Sequence, residues 1–567
     1  MTCTQPCHGE PQCSLRPQRK SFTAFAACTA VYVIVLLLVS VRAFAQVPPR
    51  DPSRCAPRMM AAPLADPSAS PHWNGWGVGI ANTRFQPADQ AGLTAAQVPK
   101  LTLKWAFGFP DTLSAYGQPT VASGRVFVGS QNGTVYSLDA KTGCTYWTFK
   151  AQSAVRAATT LGSRRTTAGE IAYTLYVGDL SAHVYALDAR TGDLLWARKV
   201  DDHPTSRVTG APTLYQERLY VPVASSEEAD ARNPAYPCCT FRGSLVVIDV
   251  ASSAVAWKTY TLPENAKPLG KTSAGTERWG PSGVGIWSSP TIDAARRLVY
   301  VSTGNMYTEP QQPTSDAVIA MEIETGKIRW VSQLLGKDVW VVGCPPAGAN
   351  CAANAADIGP DFDLGNSPML TRMPNGPGSP GSKDTIVVGQ KSGQGWALDP
   401  DKKGAVLWQY RAGRGGTLGG IEWGPAVDGQ NAYFAVSDFR LDQPGGLHAV
   451  RLNTGERAWY TPAPPPACKG PAPNCSSAQS AAVSVIPGVV FSGSTDGALR
   501  AYATGDGSIV WEFDANREFA TVNGVKANGA SFGGPGPVIV GGMLFTNSGY
   551  GVPAGRAGNV LLAFGVE

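Results

Sequence analysis

The chain is a succession of short apolar runs separated by polar turns. Runs such as residues 125–129 and 175–178 are four or five residues long and almost wholly apolar, which is typical of buried strands. Each is followed by a second apolar stretch that ends in an acidic or amide residue, by a turn that often reads Thr-Gly, and by a third stretch that carries Trp. Short strands with turn signals at this spacing predict an all-β protein built from repeated units.

Tryptophan marks each repeat. It stands at eight equivalent places along the chain, namely Trp105, Trp147, Trp196, Trp257, Trp330, Trp408, Trp459 and Trp511. The spacing between these residues runs from 42 to 78, whereas a four-stranded propeller blade needs about 40–50 residues. The units between Trp196 and Trp408 must therefore carry inserted loops. We interpret the eight Trp residues as packing groups between blades and not as catalytic groups.

An eight-bladed β-propeller of four-stranded antiparallel blades accounts for this pattern. Radially arranged sheets bury both of their faces and leave few open edges. The unit of Trp105 lacks the strands that precede Trp in the other units, and strand-like stretches at residues 543–545 and 559–564 can supply them. We therefore predict that both termini close one blade.

The N-terminus has the pattern of an export signal. Residues 22–41 are almost wholly apolar, follow a polar stretch with basic residues and precede Ala43-Phe44-Ala45. This order is typical of a cleaved secretory signal, and the alternative is an uncleaved membrane anchor, because twenty apolar residues can span a bilayer. We expect a signal peptide at 1–45, an N-terminal extension at 46–75 and the propeller at 76–567. The mature protein is then periplasmic or secreted and has no membrane span.

Cysteine usage agrees with export. Eight Cys residues remain outside the leader: Cys55, Cys144, Cys238, Cys239, Cys344, Cys351, Cys468 and Cys475. An even number in an exported chain indicates disulfides. Cys344 and Cys351 close one short loop and Cys468 and Cys475 another, which favours local pairing. Cys55 and Cys144 can pair, but nothing in the sequence demands it.

Composition and charge narrow the function classes. Gly and Pro, 64 and 45 residues, make up about a fifth of the 567, which suits a protein with many turns. The formal net charge is +5, of which +3 lies in residues 1–45 and +2 in the remaining 43 basic and 41 acidic residues. This balance leaves no electrostatic footprint for nucleic acid. Five His residues argue against a His-rich metal enzyme.

The inserted loops carry the candidate chemistry, since propellers usually bind ligands in the central channel at one face. The polar and aromatic candidates there are Glu227, Glu228, Trp287, Asn305, Asp361 and Lys391. Located on successive blades, they can converge on one axis, where oxygen donors suit a Ca²⁺-like ion. In the alternative interpretation, the glutamates belong to a solvated loop and Asp361 to a turn.

The repeats and several local segments resemble the pyrroloquinoline quinone (PQQ) dehydrogenases, the eight-bladed quinoprotein alcohol dehydrogenases. Within this family the chain is most similar to the polyvinyl alcohol dehydrogenases, through residues 104–110 (KWAFGFP), 238–243 (CCTFRG) and 479–482 (QSAA). The resemblance covers roughly residues 70–567. It implies an enzyme with PQQ as its cofactor and a metal ion beside the quinone.

The resemblance also implies a set of metal ligands. Glu227, with Glu228 as the alternative, resembles the metal-binding glutamate, and Asn305 resembles the metal-binding asparagine. Asp361 resembles the catalytic base and the third ligand. Ca²⁺ is the expected ion, and a lanthanide is the alternative, because Asp363 resembles the second carboxylate that suits a trivalent ion.

Contacts with the cofactor follow from the same resemblance. Trp287 resembles the floor under the quinone, and Lys391 resembles the cation at the reactive carbonyls of PQQ. Cys238-Cys239 resembles the adjacent-cysteine disulfide that covers the opposite face of the quinone. Arg156 and Thr209 are expected to contact the PQQ carboxylates and the rim of the site.

The expected function is PQQ-dependent oxidation of a secondary alcohol, either polyvinyl alcohol or a related polyol. The hydride passes to PQQ while Asp361 takes the hydroxyl proton and the metal polarises the quinone carbonyl. Many polyvinyl alcohol dehydrogenases resemble a fusion with cytochrome c, but residues 46–75 hold no C-x-x-C-H motif. A separate cytochrome c or another external acceptor is therefore expected. The alternatives are a non-enzymatic scaffold propeller of the outer-membrane assembly type and a quinoprotein that oxidises a sugar or polyol.

Overall fold

Nearly all of the regular structure consists of strands. The computed structural model describes residues 53–166, 168–344, 348–374, 382–469, 475–551 and 555–567. The predicted signal peptide at 1–45 lies outside the described residues. From Asp51 onward the chain forms one compact unit. A search of the described residues finds no helix with the length and apolar character needed to span a membrane.

The helices are few and short. The α-helices are α1 (Pro57–Ala61), α2 (Ala88–Ala91) and α3 (Glu227–Asp230), and 3₁₀ turns lie at Pro67–Ala69, Val98–Lys100, Ala355–Asp357 and Pro400–Lys402.

The strands follow one another in short runs of two to eight residues. In chain order they are β1 (Thr102–Gly108), β2 (Thr120–Ala122), β3 (Arg125–Gly129), β4 (Thr134–Asp139), β5 (Thr145–Lys150), β6 (Thr160–Arg165), β7 (Ile171–Gly178), β8 (His183–Asp188), β9 (Leu194–Lys199), β10 (Ser206–Arg207), β11 (Thr213–Tyr215), β12 (Arg218–Ser225), β13 (Ser244–Asp249), β14 (Val255–Tyr260), β15 (Lys267–Lys271), β16 (Glu277–Gly280), β17 (Ser282–Gly283), β18 (Thr291–Asp293), β19 (Leu298–Ser302), β20 (Met306–Thr308), β21 (Ala317–Glu322), β22 (Ile328–Gln333), β23 (Met369–Met373), β24 (Lys383–Gly389), β25 (Gln394–Asp399), β26 (Ala405–Arg411), β27 (Ala426–Val427), β28 (Asn431–Ala435), β29 (Gly446–Arg451), β30 (Arg457–Pro462), β31 (Ser484–Ile486), β32 (Val489–Gly493), β33 (Ala498–Ala503), β34 (Ile509–Asp514), β35 (Glu518–Phe519), β36 (Ala527–Asn528), β37 (Val538–Val540), β38 (Met543–Ser548) and β39 (Val560–Gly565).

These strands form an eight-bladed propeller, as the sequence predicts. Seven blades run in chain order from the inner to the outer strand: β2–β5, β6–β9, β11–β14, β18-β19-β21-β22, β23–β26, β27–β30 and β31–β34. The eighth has the order β37-β38-β39-β1, in which Trp105 lies opposite Ala563. The predicted closure of one blade by both termini is therefore confirmed, and it pairs the edge that an open ring would expose.

The repeated Trp residues lie in the outermost strand of each blade and contact the next blade. The Nε1 of Trp147 donates to the carbonyl of Ala189 at 3.0 Å, and that of Trp408 to Leu452 at 2.7 Å. Gly192, in the turn after Ala189, has a φ of 82°, and a Cβ there would lie 2.6 Å from the Trp147 ring. Glycine at the turn thus serves both the left-handed backbone and the packing of the preceding blade's Trp. The interpretation of these Trp residues as packing groups is confirmed.

Residues 73–91 run around the inner strands of successive blades. Backbone hydrogen bonds join Trp73 to Val121, Ile80 to Ile292, Ala81 to Leu370, Thr83 to Val427, Arg84 to Val485 and Gln90 to Gly541. Contacts with the blades therefore begin before residue 76, the predicted start of the propeller. Earlier still, a disulfide joins Cys55 to Cys144 beside β5.

One end of the propeller carries the inserted loops. Strands alternate in direction within a blade, so the loops between blades and the loops from second to third strands emerge at the same end. The inserted residues lie in the β12–β13, β14–β18, β19–β21 and β22–β23 loops, and the β24–β25 turn joins them. The fold thus brings the candidate residues of several blades to one end of the channel.

Candidate functional site

A central cavity of about 760 Å³ opens among these loops. Among its lining residues are Arg156, Arg207, Thr209, Glu228, Trp287, Asn305, Asp361, Asp363, Lys391, Glu422, Trp423 and Arg440. The structure therefore brings together six of the predicted site residues: Arg156, Thr209, Trp287, Asn305, Asp361 and Lys391. Glu227, Cys238 and Cys239 do not line it.

Lys391 holds two carboxylates at the bottom of the cavity. Its Nζ lies 3.0 Å from Oδ1 of Asp361 and 2.5 Å from Oδ2 of Asp363. All three side chains are less than a tenth exposed. The ammonium is thereby fixed in one place, and the two carboxylates are held on either side of it.

Asp361 is positioned by its backbone as well as by Lys391. Its φ is 60°, in the left-handed region, and its backbone N–H donates to Oδ1 of Asp338 at 3.0 Å. The next N–H, of Phe362, donates to Oδ2 of Asp338 at 2.7 Å. Asp338 is fully buried, and burial raises its pKa to about 6. The Asp338 carboxylate thus stabilises the turn in which Asp361 faces the cavity.

Asn305 is oriented by its amide nitrogen. The Nδ2 group donates to the carbonyls of Met306 and Trp340, both at 2.8 Å, and the backbone N–H donates to Oδ1 of Asp363 at 2.8 Å. Both amide protons are used, so the group that Asn305 can offer to a ligand in the cavity is its Oδ1 oxygen.

The two adjacent glutamates have different surroundings. Glu227 is fully buried, and its oxygens accept hydrogen bonds from the backbone N–H groups of Thr240 at 2.9 Å and Phe241 at 2.8 Å. The hydroxyl of Tyr236 donates to it as well, at 3.2 Å. Glu228 instead lines the cavity. The structure thus gives Glu227 a role in fixing the β12–β13 loop and puts the alternative, Glu228, at the cavity wall.

Glu228, Asp361, Asp363 and Lys391 together form what we call the acidic corner, with three carboxylates and one cation. Burial, followed by repulsion from Asp363, raises the pKa of Glu228 to about 8. Burial opposes the charge on Lys391, but the carboxylates of Asp361, Asp363 and Glu228 outweigh it and raise the pKa of its ammonium well above the ordinary value. The corner has more negative than positive groups, and a bound cation would relieve their repulsion.

The carboxylates of the acidic corner do not form a metal site without another kind of ligand. Within the ranges that the structure describes, no three His, Cys, Asp or Glu side chains are arranged as a ready metal centre. A set made of Glu228, Asp361 and the Asn305 amide contains only two residues of those types. Such a mixed set of hard oxygens is still what Ca²⁺ prefers.

Trp287 forms an aromatic wall next to the corner. Its ring centroid lies 5.6 Å from Lys391 Nζ and 5.1 Å from the Trp423 ring, which it meets edge to face at 78°. A Cβ on Gly365 would lie 2.1 Å from the Trp287 ring, so the backbone of the Asp361 loop packs directly against it. The ring is thereby held as a rigid platform for a flat ligand.

Three arginines bring positive charge to the other walls. Arg156 lies 4.3 Å from the centre of the Trp423 ring and donates to the Tyr550 hydroxyl at 2.6 Å. Arg207 and Arg440 also line the cavity. Anionic groups of a ligand would find cationic partners here.

The Thr209 hydroxyl has no hydrogen-bond partner among the described residues. Its Oγ1 is buried and makes no hydrogen bond within the described part of the chain, although it lines the cavity. A buried hydroxyl without a partner is costly, and a polar ligand in the cavity would satisfy it.

Cys238 and Cys239 form a disulfide and are not among the residues that line the cavity. Both are fully buried and pack with Phe241, Tyr307 and Val341. A second disulfide, Cys344–Cys351, reaches the cavity through Cys344. The resemblance-based expectation that Cys238-Cys239 covers the quinone therefore has no contact to support it. The remaining pairs are Cys55–Cys144 and Cys468–Cys475, so the local pairings expected from spacing are present.

We expect mass spectrometry of unreduced protein to find no free thiol at Cys238 or Cys239. The reason is that the two sulfurs are bonded in the fold and adjacent cysteines in an oxidising compartment rarely both stay free. Peptides carrying Cys468–Cys475 provide an internal control for complete oxidation. Alkylation of Cys238 and Cys239 without prior reduction would contradict this prediction.

Several residues of the site escape sequence reasoning. Arg207 lies in β10, Trp423 in the loop before β27 and Arg440 in the β28–β29 loop, and nothing in the repeat pattern marks them. Asp338 is 23 residues before Asp361, and only the fold joins the two. The one available signal was the unusual length of the β22–β23 loop.

The chain is similar to known proteins over most of its length. The family described as "Glucose/ethanol/alcohol dehydrogenase, beta-propeller domain" matches residues 73–350, and the one described as "Outer membrane protein assembly factor BamB" matches residues 331–512. The polyvinylalcohol dehydrogenase of a Pseudomonas species is 45% identical over 531 residues, covering 92% of this chain and 80% of that protein. The polyvinylalcohol dehydrogenase of Sphingopyxis sp. (strain 113P3) is 41% identical over 532 residues, covering 90% and 79%.

A solved structure extends the likeness to the fold. The quinohemoprotein alcohol dehydrogenase from Comamonas testosteroni superimposes with a TM-score of 0.61 at 17% identity, over 91% of this chain and 83% of that chain. With two relatives above 40% identity over most of their length, the chain belongs to the polyvinyl alcohol dehydrogenase group of the PQQ-dependent alcohol dehydrogenases.

Proposed function

We propose that this PQQ-dependent alcohol dehydrogenase oxidises the secondary alcohols of polyvinyl alcohol or a related polyol, with Ca²⁺ bound in the acidic corner. The observation that carries the proposal is the buried Lys391, which holds Asp361 beside Glu228 in a cavity walled by Trp287. The support for polyvinyl alcohol as the substrate is the similarity to the two polyvinylalcohol dehydrogenases.

The cavity suits PQQ in size and chemistry. A volume of about 760 Å³ falls in the range of cofactor pockets. The platform of Trp287 suits a planar ring system, and the arginines suit the three carboxylates of PQQ. Thr209 Oγ1, buried and unpaired within the described residues, would gain a hydrogen bond from such a ligand.

The acidic corner suits a divalent cation. We assign the metal ligands as Glu228, Asn305 Oδ1 and Asp361, and we replace the expected Glu227 by Glu228. Glu227 Oε2 accepts a hydrogen bond from Phe241, and Oε1 accepts from Thr240 and Tyr236. A metal would have to displace these bonds to reach Glu227, whereas Glu228 already faces the cavity.

When bound, PQQ supplies the hydride acceptor and the cation supplies a Lewis acid for its carbonyl. The protein's own groups handle the proton. Asp361 accepts the proton of the substrate hydroxyl, while Lys391 donates to its Oδ1 and holds the carboxylate in place. Asp338 keeps the Asp361 turn in place, and the buried position of the corner limits access of water.

Electrons are proposed to leave through a separate cytochrome c or another external acceptor, and the protein is proposed to act in the periplasm or outside the cell. The support for export is the set of four disulfides, which persist in oxidising compartments.

The scaffold alternative is not supported, because the chain belongs to an enzyme family and the match to the assembly factor covers only residues 331–512.

Adding PQQ and Ca²⁺ to purified, cofactor-free protein should switch on alcohol-dependent dye reduction. The physical reason is that the three carboxylates of the corner outnumber its one ammonium group, which favours a divalent cation, and that the Trp287 ring suits a planar ligand. The assay compares PQQ alone, Ca²⁺ alone and both, with polyvinyl alcohol and 2-propanol as substrates. No activity with both present would count against the proposal.

Activity measured with La³⁺ in place of Ca²⁺ tests which metal ion the enzyme uses. Oδ1 of Asp363 accepts from Asn305 and Oδ2 from Lys391, so this carboxylate is not free to serve as the additional ligand that a trivalent ion would use. We therefore expect full activity with Ca²⁺ after chelation. Activity with La³⁺ alone that is lost in Asp363→Ala would overturn the assignment.

A further inference from the structure

A second pocket lies directly outside the central cavity. It has a volume of about 600 Å³ and is lined by Ala229, Asp230, Arg232, Asn233 and Tyr236. Ala229 belongs to the walls of both pockets, so the two share a rim. We call the second pocket the outer groove.

The outer groove continues from the cavity along α3. This single helical turn presents Glu228 to the cavity and Asp230 to the outer groove. The Cγ of Arg232 lies 4.0 Å from the place that a Cβ on Gly343 would occupy, and Gly343 is part of the cavity wall. A ligand that extends out of the cavity past Ala229 would therefore meet Arg232.

The backbone of the outer groove is held rigidly although it lies in a surface loop. The amide of Asn350, 1% exposed, donates to the carbonyl of Ala231 at 2.9 Å and to those of Asn233 and Tyr236, both at 3.3 Å. Its neighbour Cys351 is bonded to Cys344 of the cavity wall. The groove and the cavity are thus preorganised with respect to each other.

The side chains of the outer groove combine polar groups with an aromatic ring. Arg232, Asn233 and Asp230 are exposed and offer both donors and acceptors. The hydroxyl of Tyr236 is bonded to Glu227 at 3.2 Å, which fixes its half-buried ring. Such a surface matches a chain of alternating CH₂ and CHOH groups, since the ring can pack against CH₂ and the polar groups can bond hydroxyls.

We infer that the outer groove binds the part of a polyhydroxylated polymer that flanks the reacting alcohol. An alcohol in the interior of a polymer has chain on both sides, so the reacting unit can enter the cavity only if the adjoining units lie along its rim. The inference rests on the proposed function and adds the place on the surface where the units beside the reacting alcohol bind.

The test compares Arg232→Ala and Asn233→Ala with wild type on polyvinyl alcohol and on 2-propanol. Loss of one or two hydrogen bonds should raise the KM for the polymer about three- to tenfold, while the KM and kcat for 2-propanol stay within about twofold. Arg190→Ala is the matched control, because Arg190 is an exposed arginine in the β8–β9 turn, at the other end of the blades. It should leave both substrates unchanged.

Calorimetric titration of polyvinyl alcohol into the protein without an electron acceptor gives a readout independent of turnover. The Kd for the polymer should rise in the two groove variants by about the same factor as the KM. An unchanged polymer KM and Kd, or an equal loss with 2-propanol, would overturn the inference. Wild-type protein that binds the polymer but oxidises neither alcohol with PQQ and Ca²⁺ would refute the proposed function and leave the groove standing.

Discussion

Asp361→Asn should lose most turnover while the protein keeps its capacity to bind PQQ. Asparagine preserves the shape of the side chain and can still accept the hydrogen bond from Lys391 through Oδ1, but it cannot take a proton from the substrate. Removal of a catalytic base costs about 10²–10⁴-fold. The measurement is kcat for dye reduction with saturating PQQ and Ca²⁺, together with the absorbance of bound PQQ.

Asp202→Asn is the control for this change, since the Asp202 side chain is fully exposed. It should retain wild-type turnover. If Asp361→Asn were to turn over at nearly the normal rate, the base would have to be Asp363 or another group of the acidic corner.

Glu228→Gln and Glu227→Gln should separate metal binding from loop structure. Glu228 lines the cavity, and replacing its charge should raise the Ca²⁺ concentration for half-maximal activation by at least about 10–100-fold, the loss known for partners of metal ligands. Glu227→Gln should leave that concentration close to wild type, because its oxygens are bonded to the Thr240 and Phe241 N–H groups.

The Glu227 variant should instead lower thermal stability. Hydrogen bonds to a charged acceptor contribute about 1.5–3 kcal/mol each, and glutamine keeps only one acceptor oxygen for the two backbone donors. The paired measurements are Ca²⁺ activation curves and Tm for both variants. A Ca²⁺ requirement that changes in Glu227→Gln and not in Glu228→Gln would return the metal role to Glu227.

The architecture of the blades could be predicted because its signals lie close together in the sequence, within each repeat unit. The apolar strand, the acidic residue, the glycine turn and the Trp recur within one unit, and the same contact, such as Trp147 with Gly192, repeats around the ring. The closing blade could be predicted as well, since the unit of Trp105 lacks strands that residues 543–564 supply. Loops longer than a blade requires also identified where Trp287, Asn305 and Asp361 would lie.

The detail of the site depended on three-dimensional neighbours that the sequence does not mark. Glu227 and Glu228 are equivalent in sequence, but successive residues of a helical turn point about 100° apart, so α3 sends one into the loop core and the other to the cavity. Cys238-Cys239 is a visible motif, yet neither residue lines the cavity, and both are buried in a cluster with Phe241. Asp361 is held by Asp338, which is 23 residues earlier in the same long loop, and by Lys391 in the β24–β25 turn of the next blade. Repeats and turns were determined by the sequence itself because they arise from residues close along the chain. Only the tertiary structure decided which charged groups meet at the axis, because that depends on how loops from different blades pack together.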